Sequence, residues 1–163
     1  MNTGRRHGLS GHFISVAESA LTLASRHARE NLPREVGGII VGWREDRVVV
    51  AHDLLLIPDN RSTGNRYDRT HWLANQRLKE FMSRAQDRRL GYVGEWHSHP
   101  APQPPSPTDL RAIRAVARDV HAPVVLVVLV AHRGGRTIQA QGCIAEQGTA
   151  GKTRLHTAQI GIH

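Results

Sequence analysis

Between Gly91 and Asp109 the chain is forced to change conformation twice within nineteen residues. The segment Gly91-Tyr92-Val93-Gly94-Glu95-Trp96-His97 is short and aromatic-rich and reads as a strand. Pro100, Pro102, Pro104 and Pro105 then forbid its continuation and stiffen the return. Ser106-Pro107-Thr108-Asp109 follows as a helix start, with Ser106 at the N-cap and Pro107 at the first helical position. A strand has a period of two, so His97 and His99 share one side, and Asp109 in the first turn of the helix can point back at them.

Two imidazoles on one face and a carboxylate ten residues beyond the second are the parts of a three-ligand metal site with a place left for water. The serine and aspartate alone would also make an ordinary capping arrangement. Capping does not account for two histidines on the same face at the end of a strand, and the joint pattern favours the metal site.

His97-Ser98-His99-Pro100 with Ser106 and Asp109, preceded far upstream by Glu35-Val36-Gly37-Gly38-Ile39-Ile40-Val41-Gly42, resembles the JAMM (JAB/MPN-plus) metalloprotease signature. The resemblance runs over residues 13–146, and the wording Gly-Glu-Trp-His-Ser-His-Pro is most similar to bacterial members, including Cap3-type peptidases that accompany ubiquitin-like conjugation enzymes in antiphage operons. It implies one zinc ion per chain held by His97, His99 and Asp109, with Glu35 as general acid/base and Ser106 as oxyanion stabiliser. One departure is that six residues separate His99 from Ser106, one fewer than in the usual eukaryotic pattern.

The chemistry of the residues agrees. Zinc with three protein ligands lowers the pKa of a bound water to about 7. Amides have poor leaving groups, so a carboxylate must take the water proton and deliver it to the departing amine. Glu35 is the candidate, and a solvated loop glutamate after Pro33-Arg34 is the alternative. Ser106 can donate to the developing oxyanion, a contribution worth about 3 kcal/mol. Glu95, on the face of His97, is a rival for the acid/base role, an acceptor for a ligand imidazole, or a substrate contact, and Asn60, in the polar loop over 58–69, is a further candidate to support a ligand imidazole or contact substrate. Trp96, on the opposite face, is expected in the core.

With 163 residues the chain makes one domain, too short for the (β/α)8 barrel of His-x-His amidohydrolases. Arg5, Arg6 and His7 are not followed by an apolar stretch, so no signal peptide is expected. Residues 123–131, the longest apolar run, are too few to span a membrane and are valine-rich like a buried strand. Cys143 is the single cysteine, which fits a reducing cytoplasm, and is expected to be an inert core thiol. The formal net charge is +8, and Lys79 and Lys152 are the only lysines. The arginines, clustered at 84–89 and 111–118, have few aromatics among them, so they read as solvated faces rather than as a nucleic-acid surface.

The periodicity predicts a helix over 15–31, strands over 37–43 and 47–57 about a Glu45-Asp46 turn, a polar loop over 58–69 and a helix over 70–88. The site strand, a helix over 106–119 and strands over 124–131 and 137–144 around Gly134-Gly135 follow. Residues 148–163 lack a pattern and are expected to form a tail or a partner-binding extension, and 1–12 an N-terminal extension, leaving 13–147 as the domain. This order predicts an α/β, three-layer domain with a mixed sheet between helices, and the resemblance implies the same architecture, the cytidine-deaminase-like JAB/MPN fold. Substrate would be held by the loops at 58–69 and 101–105, with an extended peptide added to a sheet edge.

The expected function is a cytoplasmic zinc metallopeptidase that cuts after the C-terminal tail of a ubiquitin-like protein, for maturation or deconjugation, with E1-like and E2-like enzymes or a conjugated target as partners and no membrane. Competing readings are a sulfur-carrier-processing peptidase and a RadC-like DNA-associated role, which fits the charge but would favour Asn in place of Ser98. A non-catalytic MPN scaffold would not need every ligand position filled. A non-haem iron oxygenase would leave Glu35 and Ser106 unexplained.

Overall fold

The computed structural model describes residues 11–58 and 71–163. Strands β1 (His12–Val16), β2 (Gly37–Glu45), β3 (Val48–Leu56), β4 (Gly91–His99), β5 (Val124–His132), β6 (Thr137–Gln147) and β7 (Thr153–Ile162) close into a barrel in the order β1-β3-β2-β4-β5-β6-β7. Helices α1 (Glu18–Glu30), α2 (His71–Arg84) and α3 (Pro107–Val120) connect them. Among the described residues no helix is long and apolar enough to cross a membrane.

The three-layer α/β arrangement is therefore corrected to a closed seven-stranded barrel. The internal elements fall where their periodicity put them, and the difference lies at the two ends of the chain. Residues 12–16, expected as extension and helix start, are β1, and residues 153–162, expected as tail, are β7. β1 lies parallel to both β3 and β7, pairing Ile14 with Val49 and with Ile160, and this ribbon joins what would otherwise be the two edges of an open sheet. Each strand has a neighbour on both sides, although β1 covers β3 only over Val48–Ala51.

Inside the barrel Ile14, Val16, Ile40, Val93, Trp96, Val125, Val127, Leu129 and Ile144 pack together, and α1 adds Ala20 and Ala24 to the same cluster. Trp96 is fully buried, as expected, and its indole N–H donates to the Leu55 carbonyl at 3.1 Å. The alternate residues of β5, Val124, Leu126, Val128 and Val130, face outward under Ile113 and Ala117 of α3, so β5 is covered on both sides. That is why its sequence is a continuous apolar run. β4 and β5 are parallel neighbours joined through α3, which fixes the start of α3 beside the end of β4. Helix α2 covers the outer face of β2 through Ala74 against Ile39 and Ile57.

Candidate metal centre

β4 remains extended through His99 and is buried at every position from Trp96 to His99, with Trp96 turned into the barrel and His97 and His99 turned out toward the start of α3. Both imidazoles are buried, with exposures of 8% and 6%. α3 begins with the expected cap. Ser106 Oγ accepts the Asp109 N–H at 3.1 Å, and the Ser106 N–H donates to Asp109 Oδ2 at 2.6 Å. Capping and the metal-site geometry are thus the same structure, because the box holds the Asp109 carboxylate where it meets the histidines.

His97 Nε2 and His99 Nε2 lie 3.1 Å apart, and Asp109 Oδ2 lies 3.5 Å from the first and 3.6 Å from the second. Tetrahedral zinc with bonds of about 2.0–2.1 Å separates its ligand atoms by about 3.3 Å, so the observed triangle has the required size. The donor chemistry fits as well. His99 Nδ1 faces the Gln103 carbonyl at 2.9 Å, and since a carbonyl only accepts, Nδ1 carries the hydrogen and a neutral ring presents its lone pair at Nε2. One proton cannot serve both imidazoles and the carboxylate together, whereas one cation can.

The electrostatics of the group express the same demand for positive charge. Burial opposes ionisation of Asp109, but hydrogen bonds with His97 and His99, the charge of His97 and a hydrogen bond with Ser106 prevail and hold its carboxyl well below the usual range. For His99, burial favours the neutral ring, but the hydrogen bonds to Asp109 and the Gln103 carbonyl and the charges of Glu35 and Asp109 outweigh it and raise the pKa.

Glu35 is placed by sheet register. Gly37 pairs with His97, and one step outward Ser98 N–H donates to the Val36 carbonyl at 2.7 Å while Val36 N–H donates to Ser98 Oγ at 3.0 Å. The next step sets half-buried Glu35 beside His99, consistent with its charge being felt there. This close approach of β2 and β4 explains Gly37, where a Cβ would collide with the Trp96 carbonyl oxygen and the His97 Cβ.

Glu95 is half-buried on β4 and accepts a hydrogen bond from the Tyr92 hydroxyl at 3.2 Å. Asn60 lies outside the described residues. Ser98 and Gln103 brace the candidate site in ways that residue types did not signal, Gln103 through its backbone carbonyl at His99 and Ser98 through its cross-strand contact with Val36. The loop one residue shorter than the eukaryotic pattern doubles back so that Gln103 N–H meets the Ala101 carbonyl at 2.7 Å, which aims the Gln103 carbonyl at His99. Cys143 is buried in the outer cluster, where burial first and the charge of Asp109 second push its thiol up to about 11, as an inert thiol requires.

A family profile of prokaryotic homologs of the JAB domain matches residues 17–142. The chain belongs to the prokaryotic JAB-domain family. The solution structure of protein DSY2949 from Desulfitobacterium hafniense is similar in fold to this JAB-domain chain, with a TM-score of 0.68 at 15% identity over 93% of each chain. No curated protein matches this JAB-domain chain.

Proposed function

We propose that this JAB-domain protein is a zinc-dependent metallopeptidase that hydrolyses the amide bond after the C-terminal tail of a ubiquitin-like protein, maturing a precursor or releasing a conjugate. The observation that carries the reading is the convergence of His97, His99 and Asp109 with Glu35 beside His99. His97, His99 and Asp109 would hold the ion. Zinc, when bound, supplies Lewis acidity and brings the pKa of water to about 7.

Glu35 takes the proton of the attacking water and passes it to the departing amine, a role suited to a half-buried carboxylate next to the ligands but not among them. The Ser106 hydroxyl, held against Asp109 in this structure, turns about its C–O bond to donate to the developing oxyanion. Glu95, fixed by Tyr92, contacts substrate near His97. The proline-stiffened turn after His99 leaves space for an extended, glycine-ended tail rather than folded structure, so the body of the ubiquitin-like protein supplies the remaining contacts. Such an enzyme works in the cytoplasm with E1-like and E2-like partners, as in an antiphage conjugation system.

The test compares cleavage of a ubiquitin-like fusion with cleavage of its isolated tail peptide, in wild type and in Glu35→Ala. The variant keeps fold and metal and loses cleavage. Near-normal turnover in Glu35→Ala with Glu95→Ala inactive would transfer the proton-carrying role to Glu95. Equal kcat/KM for fusion and tail would replace the deconjugating enzyme with a general peptidase.

A further inference from the structure

Three side chains from three strands meet at the barrel mouth opposite His99. They are His12 on β1, Glu146 on β6 and His156 on β7, and their ligand atoms all lie within 4.8 Å of one another. Strand alternation puts each on the inward-facing side, since Ile14, Ile144 and Ala158, two residues along from each, belong to the interior cluster. The register sets them far from the first group. His99 pairs with Val130 near the end of β5, whereas Ala145, next to Glu146, pairs with Val124 at its start.

Glu146 Oε1 lies 3.0 Å from His156 Nε2 and 3.4 Å from His12 Nε2. The direct cross-strand partner of Glu146 is Arg154, yet the carboxylate lies against the imidazoles. His156 Nε2 is buried and makes no hydrogen bond in spite of its 3.0 Å separation from the carboxylate, so the ring nitrogen is not aimed at that oxygen. A proton-sharing clasp would align the two atoms. A buried, unbonded ring nitrogen set against a carboxylate and a second imidazole nitrogen is a donor set that one cation can share.

We propose that His12, Glu146 and His156 form a second metal site, for a divalent late first-row transition ion, that fastens β1 to β6 and β7 where the barrel closes. Two imidazoles and one carboxylate suit that class and disfavour magnesium and calcium, which take oxygen ligands. The two rings are stacked, 3.9 Å apart at 15°, so their in-plane lone pairs lie in nearly parallel planes and do not yet meet at one point. One ring therefore turns about its Cβ–Cγ bond as the ion binds, and side-chain exposures of 25% for His12 and 31% for His156 leave room for the turn. An ion bound only by the closed barrel raises its stability by mass action.

The experiment uses the untagged full chain, stripped of metal, reloaded with Zn²⁺ or Co²⁺ and dialysed, with metal counted by mass spectrometry and unfolding followed by heat. Glu146→Gln keeps the shape of the side chain and removes the charge, and the bound metal falls by one ion per chain relative to wild type. In His97→Ala/His99→Ala, where the first group is disabled, one ion remains and Zn²⁺ still raises Tm, and adding Glu146→Gln abolishes both. An unchanged metal count in Glu146→Gln, with His156→Ala unchanged as well, overturns the proposal. So does the absence of any bound ion from a folded His97→Ala/His99→Ala chain.

Discussion

Ser98→Ala separates the placement of Glu35 from the metal ligands. Ser98 is 2% exposed, and its Oγ accepts the Val36 N–H at 3.0 Å. Alanine removes that acceptor while the neighbouring Ser98 N–H bond to the Val36 carbonyl, at 2.7 Å, stays in place. A buried donor left without a partner costs about 1–3 kcal/mol, and because Val36 is only half-buried the lower part of that range, about 1–2 kcal/mol, applies. For a chain of this size each kcal/mol lowers Tm by about 2–4 °C, so the expected fall is about 2–8 °C. The imidazoles of His97 and His99 point to the other side of β4, so metal content stays at the wild-type value. Glu35 adjoins Val36, and the loosened backbone displaces its carboxylate; a shift of about 1 Å in such a group can cost roughly 100-fold in rate. Thermal unfolding, metal analysis and kcat on a ubiquitin-like fusion read the three effects separately. Loss of metal, or unchanged Tm together with unchanged kcat, would refute the reasoning.

Three other outcomes follow from the same geometry. In the metal-free protein the raised His99 pKa contributes stability that is full below about pH 6.5 and is lost as pH rises through the folded value, while the depressed Asp109 pKa contributes stability present above about pH 4 and lost on acidification, so denaturant midpoints peak between these limits. Saturating zinc should move that maximum upward, because the ion needs the imidazoles neutral, and a maximum that stays put would contradict ligation by His99. Gly37→Ala drives a Cβ into the Trp96 carbonyl oxygen, which should cost about 1–3 kcal/mol and weaken metal binding by moving His97, whereas native metal affinity with unchanged Tm would show that the two strands can separate freely. A chain ending at Lys152 lacks β7, so β1 and β6 each lose a neighbour, and cooperative thermal unfolding should disappear; a normal transition would mean that closure contributes little.

The candidate metal centre was legible in the sequence because its parts are local. A strand puts His97 and His99 on one face whatever surrounds them, four prolines end that strand, and Ser106-Pro107-Thr108-Asp109 starts a helix through its own backbone hydrogen bonds. The apolar run of β5 likewise announced a strand covered on both sides. Closure of the barrel was decided elsewhere. β1 is five residues long and β7 reads Thr-Arg-Leu-His-Thr-Ala-Gln-Ile-Gly-Ile, too polar and too broken by small residues to carry a clear period. These segments become strands by pairing with each other, Ile14 against Ile160, across almost the whole chain, and a contact at that separation leaves no local trace. Glu35 reached His99 in the same way, through the antiparallel register of β2 on β4, and His12 met Glu146 and His156 only because the barrel closed. Local backbone preference wrote the His97-His99-Asp109 group into the sequence, and long-range strand pairing decided which distant residues stand beside it.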